Sequence, residues 1–511
     1  MNSSRIIVSE EVKEMQTESS AASQTSSYRS IFKATSLFGG VQVYQIIIQI
    51  IKSKFVAILL GPAGVGILGL FQSALDLVKN FTSFGLSGSA VRDVSVANSS
   101  NDIGRISRIV SVLRRLVVCT GLLGMLTTVI FSPLLSKGSF GSFDYTIPFI
   151  FLSVTLLFDQ MSAGQKVKLQ GLRKLKDLAM CSLIGVTFSL FITVPIYYWL
   201  GVKGIVPTLI LNSIIVWLVS SIYSNRVNIS AVKVSLKESF RQGREMIVLG
   251  LSMSISPILV TMVAYILRSY IQNVAGLETV GLFQAGFVIM NTYVGLIFNA
   301  IATDYFPRLA AVNKDNEKCS LEVSQQGEIS AMILSPLLSI CIIFMPFVLQ
   351  LLYSDRFLAA NDYIIWACVG MMFRLSSWVI GFLFAAKADS KLFVINEVSG
   401  NVYYLLFSVI GFHFWGLKGL GIAFALDYVC YFIQVLLIAR SKYNFHFHKG
   451  FYRAFIPQLL LVCSCLLIVL LTQGWLKYLL GVIVIFISIY LSLSGLNKKL
   501  DIIGLIRKGN K

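Results

Sequence analysis

Charge is scarce in this chain: only 13% of its 511 residues are Asp, Glu, Lys or Arg, against roughly a quarter in soluble proteins. With 56% hydrophobic residues and a mean hydropathy of +0.78, that shortage excludes a water-soluble globular domain and marks an integral membrane protein. Histidine is scarcer still. The three present, His413, His446 and His448, offer no proton relay, and no HExxH, GxSxG, P-loop or outer-loop DxD cluster occurs. These absences argue against an enzyme and against any metal or cofactor site. Seven of the eight cysteines fall in apolar segments and Cys319 in a loop, so no disulfide framework is implied. The spacing of Cys463 and Cys465 puts them on different sides of one helix, which is not a metal motif. A cleavable signal is lacking too: residues 1–29 are Ser/Thr-rich and acidic and read as a disordered cytoplasmic tail, with Met15 as an alternative start.

What is there is apolar length. A bilayer core of about 30 Å takes about 20 residues of helix, and fourteen segments reach that length. They span about 35–59, 65–91, 109–134, 145–167, 178–200, 203–224, 247–272, 281–303, 328–353, 361–386, 391–413, 417–439, 454–473 and 476–496. The formal charge of +19 follows this pattern instead of indicating nucleic acid. Of 43 Lys and Arg, 33 lie on or beside inner loops and tails, five on outer loops (Lys137, Lys203, Arg356, Lys418, Lys477) and five within segments. That asymmetry places both termini in the cytoplasm.

The chain also repeats itself. Gly201-Val202-Lys203-Gly204 returns 215 residues later as Gly416-Leu417-Lys418-Gly419, and the same shift carries Gly61, Val65 and Gly66 onto Gly276, Val280 and Gly281. It also carries Asn98, Phe158, Ser162, Lys176 and Gly185 onto Asn313, Phe373, Ser377, Lys391 and Gly400. One ungapped offset over this distance indicates a duplicated half. The expected fold is therefore all-α and polytopic, with about 14 transmembrane helices: an N-lobe (30–226), a basic cytoplasmic linker (227–245), a C-lobe (246–441) and an added helix pair with a basic tail (442–511). Six helices per half is an even number, so the lobes should be parallel copies around an axis along the membrane normal. Sites in such proteins lie near the midplane where repeats meet. The linker either lies on anionic lipid as an interfacial helix or is a solvated connection.

Polar residues inside apolar segments are expensive unless they face a cavity or each other. In segment 1, Gln42, Gln45, Gln49 and Lys52 share one helix face; in segment 2, Gln72, Asp76, Lys79 and Ser83 do the same, and Asp76 can pair with Lys79. Gln284, Asn291 and Asn299 mark one side of segment 8. Arg374 lies mid-span in segment 10, and Asp159, Arg268, Glu397 and Asp427 complete the set. Lys54 and Arg268 are near enough to an outer end to reach headgroups, while Glu397 and Asp427 could bond neighbouring helices. Fixed cations suit phosphate oxygens, and Gln, Asn and Ser suit sugar hydroxyls. A diphosphate-linked saccharide uses both.

The run Lys54 to Gly66 (KFVAILLGPAGVG), the stretch Leu351 to Trp366, and Ala385-Ala386-Lys387-Ala388 through Asn396-Glu397-Val398-Ser399 resemble bacterial oligosaccharide-lipid flippases. The likeness is particularly to the O-antigen and lipid III translocases of the multidrug/oligosaccharidyl-lipid/polysaccharide exporter superfamily. The resemblance covers about residues 30–440. It implies alternating access and translocation of an undecaprenyl-diphosphate-linked oligosaccharide, such as an O-antigen-like unit in lipopolysaccharide biosynthesis, across the inner membrane, with membrane lipids and a glycan polymerase of the same pathway as partners. On that reading Lys52, Lys79 and Arg374 contact the diphosphate, Gln42, Gln45, Gln49 and Gln72 the sugars, and Asp76 and Asp159 carry a coupling ion. The alternatives are a drug/cation antiporter of the same superfamily, which would want carboxylates where segment 1 has lysines, and a major-facilitator sugar transporter. For the latter, Asp102-Ile103-Gly104-Arg105 is a poor match to the expected loop motif.

Overall fold

The computed structural model describes residues 40–100, 102–229, 232, 234–235, 237–298, 301–302 and 304–499. The expected tail, 1–29, and the chain's last residues lie outside these. Ten helical stretches are long and apolar enough to cross a membrane among the described residues. In chain order the helices are α1 (Gly40–Thr82), α2 (Leu86–Ser99), α3 (Ile103–Phe140), α4 (Thr146–Gly171), α5 (Leu175–Leu200), α6 (Ile205–Asn225) and α7 (Leu236–Gln242). The second half holds α8 (Arg244–Val288), running through a π-helical segment (Ile289–Val294) into α9 (Gly295–Ala311), then α10 (Asn316–Leu352), α11 (Asn361–Ala386) and α12 (Ser390–Tyr443). Helices α13 (Lys449–Leu471) and α14 (Trp475–Lys499) follow.

Four of the apolar stretches are hairpins. At about 1.5 Å per residue, the 43 residues of α1 are about twice as long as a bilayer core is thick. The helix breaks at Gly61 (φ 65°, ψ −178°), α8 breaks at Gly276 (82°, 175°), α12 at Gly416 (56°, −136°), and α5 and α6 meet at Gly201 (54°, −132°). Only glycine adopts such angles readily. Bonds across three of the turns show that the limbs fold back: Arg268 Nε to Gln284 Oε1, 2.9 Å; Asn212 Nδ2 to Thr193 Oγ1, 3.4 Å; Gln434 Nε2 to Asn396 Oδ1, 2.9 Å; Lys442 Nζ to Asp389 Oδ2, 2.5 Å. In α1, Gln49 and Lys52 share a cavity with Gly69 and Gln72.

The hairpin glycines pair at the 215-residue shift, Gly61 with Gly276 and Gly201 with Gly416, with nearly equal angles. So do two residues that lack glycine's freedom, Arg173 (φ 56°) and Ala388 (φ 55°). The repeat is thus present in the backbone as well as in the letters. The halves meet through equivalent residues at the turn ends of α1 and α8. A methyl group on Gly66 would lie 2.1 Å from the Leu277 carbonyl oxygen, and one on Gly281 would lie 1.8 Å from that of Pro62. At the opposite end, Gly250 sits against the carbonyl of Phe84 and Gly85 against that of Gly250. Two backbones can run this close only where neither carries a side chain.

The largest apolar core runs through both halves and into α13 and α14, from Leu70 and Phe71 through Phe283, Tyr305 and Ile342 to Phe451 and Cys465. The added pair docks on α10 around one buried amide. Gln458 accepts from Ser335 Oγ and Ser488 Oγ, both at 2.7 Å, and donates to Ser492 Oγ at 2.8 Å. The linker helix α7 packs against α3, with Glu238 bound to Arg108 at 2.5 Å and Val234 buried among Leu113 and Leu116. Cys319, expected in a loop, is buried in the first turn of α10.

Gly281→Ala should lower the melting temperature of the detergent-solubilised protein, since overpacking typically costs 1–3 kcal/mol. Gly295→Ala, where a methyl meets nothing within 4 Å, should leave melting unchanged or raise it. Equal melting of Gly281→Ala and the parent would show that the halves do not meet at this crossing.

Candidate functional site

The second limb of α1 has its polarity reversed relative to a lipid-facing helix. Phe71, Ala74, Leu75 and Val78 are buried while Gln72 and Asp76 are exposed, with Lys79 and Asn80 partly so. In the middle of α3 the exposed side chains include Leu122, Leu126, Ile130 and Leu134, as hydrocarbon requires. A limb that buries its apolar face and opens its polar one borders water inside the membrane span.

Gln49, Lys52 and Gln72 line a cavity of about 120 Å³ together with Asn212 from α6 and Gln284 from α8. Lys52 Nζ donates to Ser189 Oγ on α5 at 2.7 Å. Gln42 is exposed and Gln45 half-buried; both continue the stripe away from the cavity and do not line it. Lys79 corrects an expectation. Its partner is Asp159 of α4, Nζ to Oδ2 3.1 Å, not Asp76 one turn away. A pair within one helix is worth only a few tenths of a kcal/mol, and α4 presents a carboxylate directly to the lysine. Asp76 keeps Lys79, Asp159 and Arg268 as the charges acting on it.

Arg268 corrects a second expectation. It does not reach headgroups: it is 5% exposed, bonded to Gln284 Oε1 at 2.9 Å and to the Ala264 carbonyl at 3.0 Å. Its guanidinium lies 4.8 Å from the Phe287 ring centre. Gln284, its partner, also fills the space beside Gly69, its equivalent in the other half. Lys54 bonds the carbonyl of Gln350 at 2.5 Å.

Arg374 lies apart from the other cations, in a cavity of about 460 Å³ within the second half. Its Nη1 donates to Asn291 Oδ1 at 2.7 Å, and it sits 5.5 Å from the rings of Phe298 and Tyr428. Asn291 belongs to the π-helical segment, a distortion common at functional sites. The same cavity is lined by Glu397, Asp427, Asn396, Tyr404 and Tyr431. Glu397 accepts from Ser256 Oγ of α8 at 2.5 Å, as expected of a residue bonding neighbouring helices. Asp427 does not do so through Oδ1, which is buried without a hydrogen-bond partner. Of the predicted residues, Gln49, Lys52 and Gln72 share one cavity, Arg374 lines a second and larger one in the second copy, Lys79 and Asp159 form an ion pair, and Gln42, Gln45 and Asp76 belong to none of these. Its aromatic wall escaped sequence reasoning because tyrosines in apolar segments look like packing. Arg268 with Gln284 left a usable signal: both stand eight residues from the turn at Gly276.

A family of polysaccharide biosynthesis proteins matches residues 55–362. The chain belongs to that family. Among its relatives is the lipid III flippase of Escherichia coli (strain K12), 20% identical over 387 residues that cover 75% of this chain and 92% of the relative. The lipid III flippase of Shigella flexneri matches equally. Among solved structures, the lipid II flippase MurJ in an inward closed conformation aligns with a TM-score of 0.68 at 14% identity, over 91% of this chain and 99% of that one. An inward-facing multidrug resistance MATE transporter of the MOP superfamily aligns at 0.65 and 17%, over 79% and 94%. This family member is a multi-pass membrane protein with the fold these structures share.

The Lys79–Asp159 pair gives a direct test. Lys79→Ala and Asp159→Ala each leave one charge unpaired in the span, so the double variant should melt higher than the sum of the two single losses predicts. Strict additivity would mean that the two side chains do not pair.

Proposed function

We propose that this chain moves the headgroup of an undecaprenyl-diphosphate-linked oligosaccharide across the bacterial inner membrane, by alternating exposure of the space between its halves. The observation that carries this reading is the inverted polarity of the second α1 limb. Its open face of Gln72, Asp76 and Lys79 continues into the cavity holding Lys52 and Gln49, a run of amides and cations through an apolar bundle. A saccharide diphosphate has hydroxyls for the amides and oxygens for the cations, while its polyprenyl tail stays in lipid. Family membership and the likeness to lipid III flippases support the same substrate class. Fourteen helical limbs with both termini in the cytoplasm fit the distribution of Lys and Arg. That orientation puts the Gly66–Gly281 crossing at the outer face and the contact of Gly85 with Gly250 at the inner one. Asp76 and Asp159 are the groups proposed to carry a coupling proton, because Lys79 can trade one carboxylate for the other as the halves move. No covalent chemistry is required, and the protein acts as a transporter.

One observation favours a second reading, a drug/cation antiporter. The larger cavity sets two carboxylates, Glu397 and Asp427, and three tyrosines against one arginine, a lining that suits organic cations. The two readings separate in a strain deleted for its own glycan flippase: the chain should restore surface glycan and confer no dye resistance. At equal protein level Lys52→Ala, Lys79→Ala and Arg374→Ala should each cut export roughly tenfold or more, since a hydrogen bond to a charged group is worth about 1.5–3 kcal/mol. Undiminished export in all three, or dye efflux without glycan export, would contradict the proposal.

A further inference from the structure

The loop joining α12 to α13 carries a side-chain cluster that the transport reading does not use. Residues 445–448 join the helices after Asn444, which turns the chain in a left-handed conformation (φ 53°, ψ 31°), and their side chains alternate between buried and more exposed. Phe445 and Phe447 are buried, at 1% and 5% exposure, with Phe447 stacked on Phe451 at 3.8 Å between ring centres. That burial turns His446 and His448 together toward the first turn of α10. There, Glu317 Oε1 lies 3.6 Å from Nε2 of each histidine, and one ligand atom from each of the three residues falls within 4.8 Å of the others.

These distances are too long for hydrogen bonds. The two 3.6 Å separations are close to that of about 3.4 Å between two ligands on a tetrahedral zinc ion with bonds of about 2.0–2.2 Å. His446 Nδ1 is 3.3 Å from the Asn444 carbonyl, which can only accept; a proton on Nδ1 satisfies that contact and leaves the Nε2 lone pair for a metal, the orientation that outer hydrogen bonds impose on metal-binding histidines. His448 Nε2 is buried and has no hydrogen-bond partner. Its main-chain N–H donates to Ser324 Oγ at 3.0 Å, fixing this residue to α10.

We infer that Glu317, His446 and His448 form a binding site for a divalent transition cation of the zinc class, with the remaining position open to water. Two imidazole nitrogens and one carboxylate suit zinc, cobalt or nickel over magnesium or calcium. The bound ion ties the entry to α13 onto α10. It would reinforce, at one end of the added helix pair, the attachment that Gln458 makes deeper in the bundle and that Lys499 makes with Glu328 at 2.5 Å.

The test is zinc titration by calorimetry on the full chain, purified without a polyhistidine tag. One ion per chain is expected, with affinity falling at least tenfold in His446→Ala and in Glu317→Gln, and unchanged in His413→Ala. Zinc should raise the melting temperature of the parent and not of the two cluster variants. Elution of each variant as the parent does shows that loss of binding is not loss of fold; if His446→Ala fails to elute so, Glu317→Gln decides. Cobalt in place of zinc should give the visible absorption of a tetrahedral site. Absence of saturable binding, binding indifferent to Glu317→Gln, or a cobalt–thiolate band reporting cysteine ligands would each overturn the proposal.

Discussion

Everything in this protein is arranged around the close approach of two glycines. Gly66 and Gly281 occupy equivalent positions in the duplicated halves, and each faces a carbonyl, Leu277 or Pro62, that is itself the other's equivalent. The contact is therefore made by the repeat with its own copy. Backbone packing of this kind has no side chains to interdigitate, so at this point the halves can tilt without unlocking interlocked side chains. The hairpin turns at Gly61 and Gly276 stand next to it and set the direction in which both pairs of limbs diverge.

From that crossing the two halves share geometry and differ in charge. At the 215-residue shift Asp76 corresponds to Asn291, and Asp159 corresponds to Arg374. The first half thus places a carboxylate where the second places a guanidinium, and Lys79 supplies the cation that answers it. In the second half Asn291 takes over the contact, carried on a π-helical segment. A duplicated scaffold with opposite charges at equivalent positions gives the two halves chemically different polar sites.

Much of the fold was legible because it is written in glycine and in hydrophobic length. The 215-residue shift, read from letters, reappears as matched backbone angles at Gly61 and Gly276, at Gly201 and Gly416, and at Arg173 and Ala388. The site was legible along each helix but not between helices. Periodicity placed Gln49 and Lys52 on one face and Gln72 on another, and the structure brings the three to one cavity. It could not tell that Lys79 would choose Asp159 over Asp76, because a partner on another helix leaves no trace in the spacing of one. Arg268 was misread for a related reason: nearness to a helix end says nothing about which way the side chain turns, and here Gln284 and the rings of Phe283 and Phe287 hold it inside. The weight of the second cavity was missed because Tyr404, Tyr428 and Tyr431 resemble ordinary packing.

The central claim is that the halves tilt about the Gly66–Gly281 crossing. Spin labels at Lys203 and Lys418, equivalent and exposed residues of the two halves, measure that motion in lipid by pulsed electron resonance. The account predicts two distance populations, the longer one growing when a polyprenyl-diphosphate-linked oligosaccharide is added. A single distance, unchanged by that ligand, would contradict it.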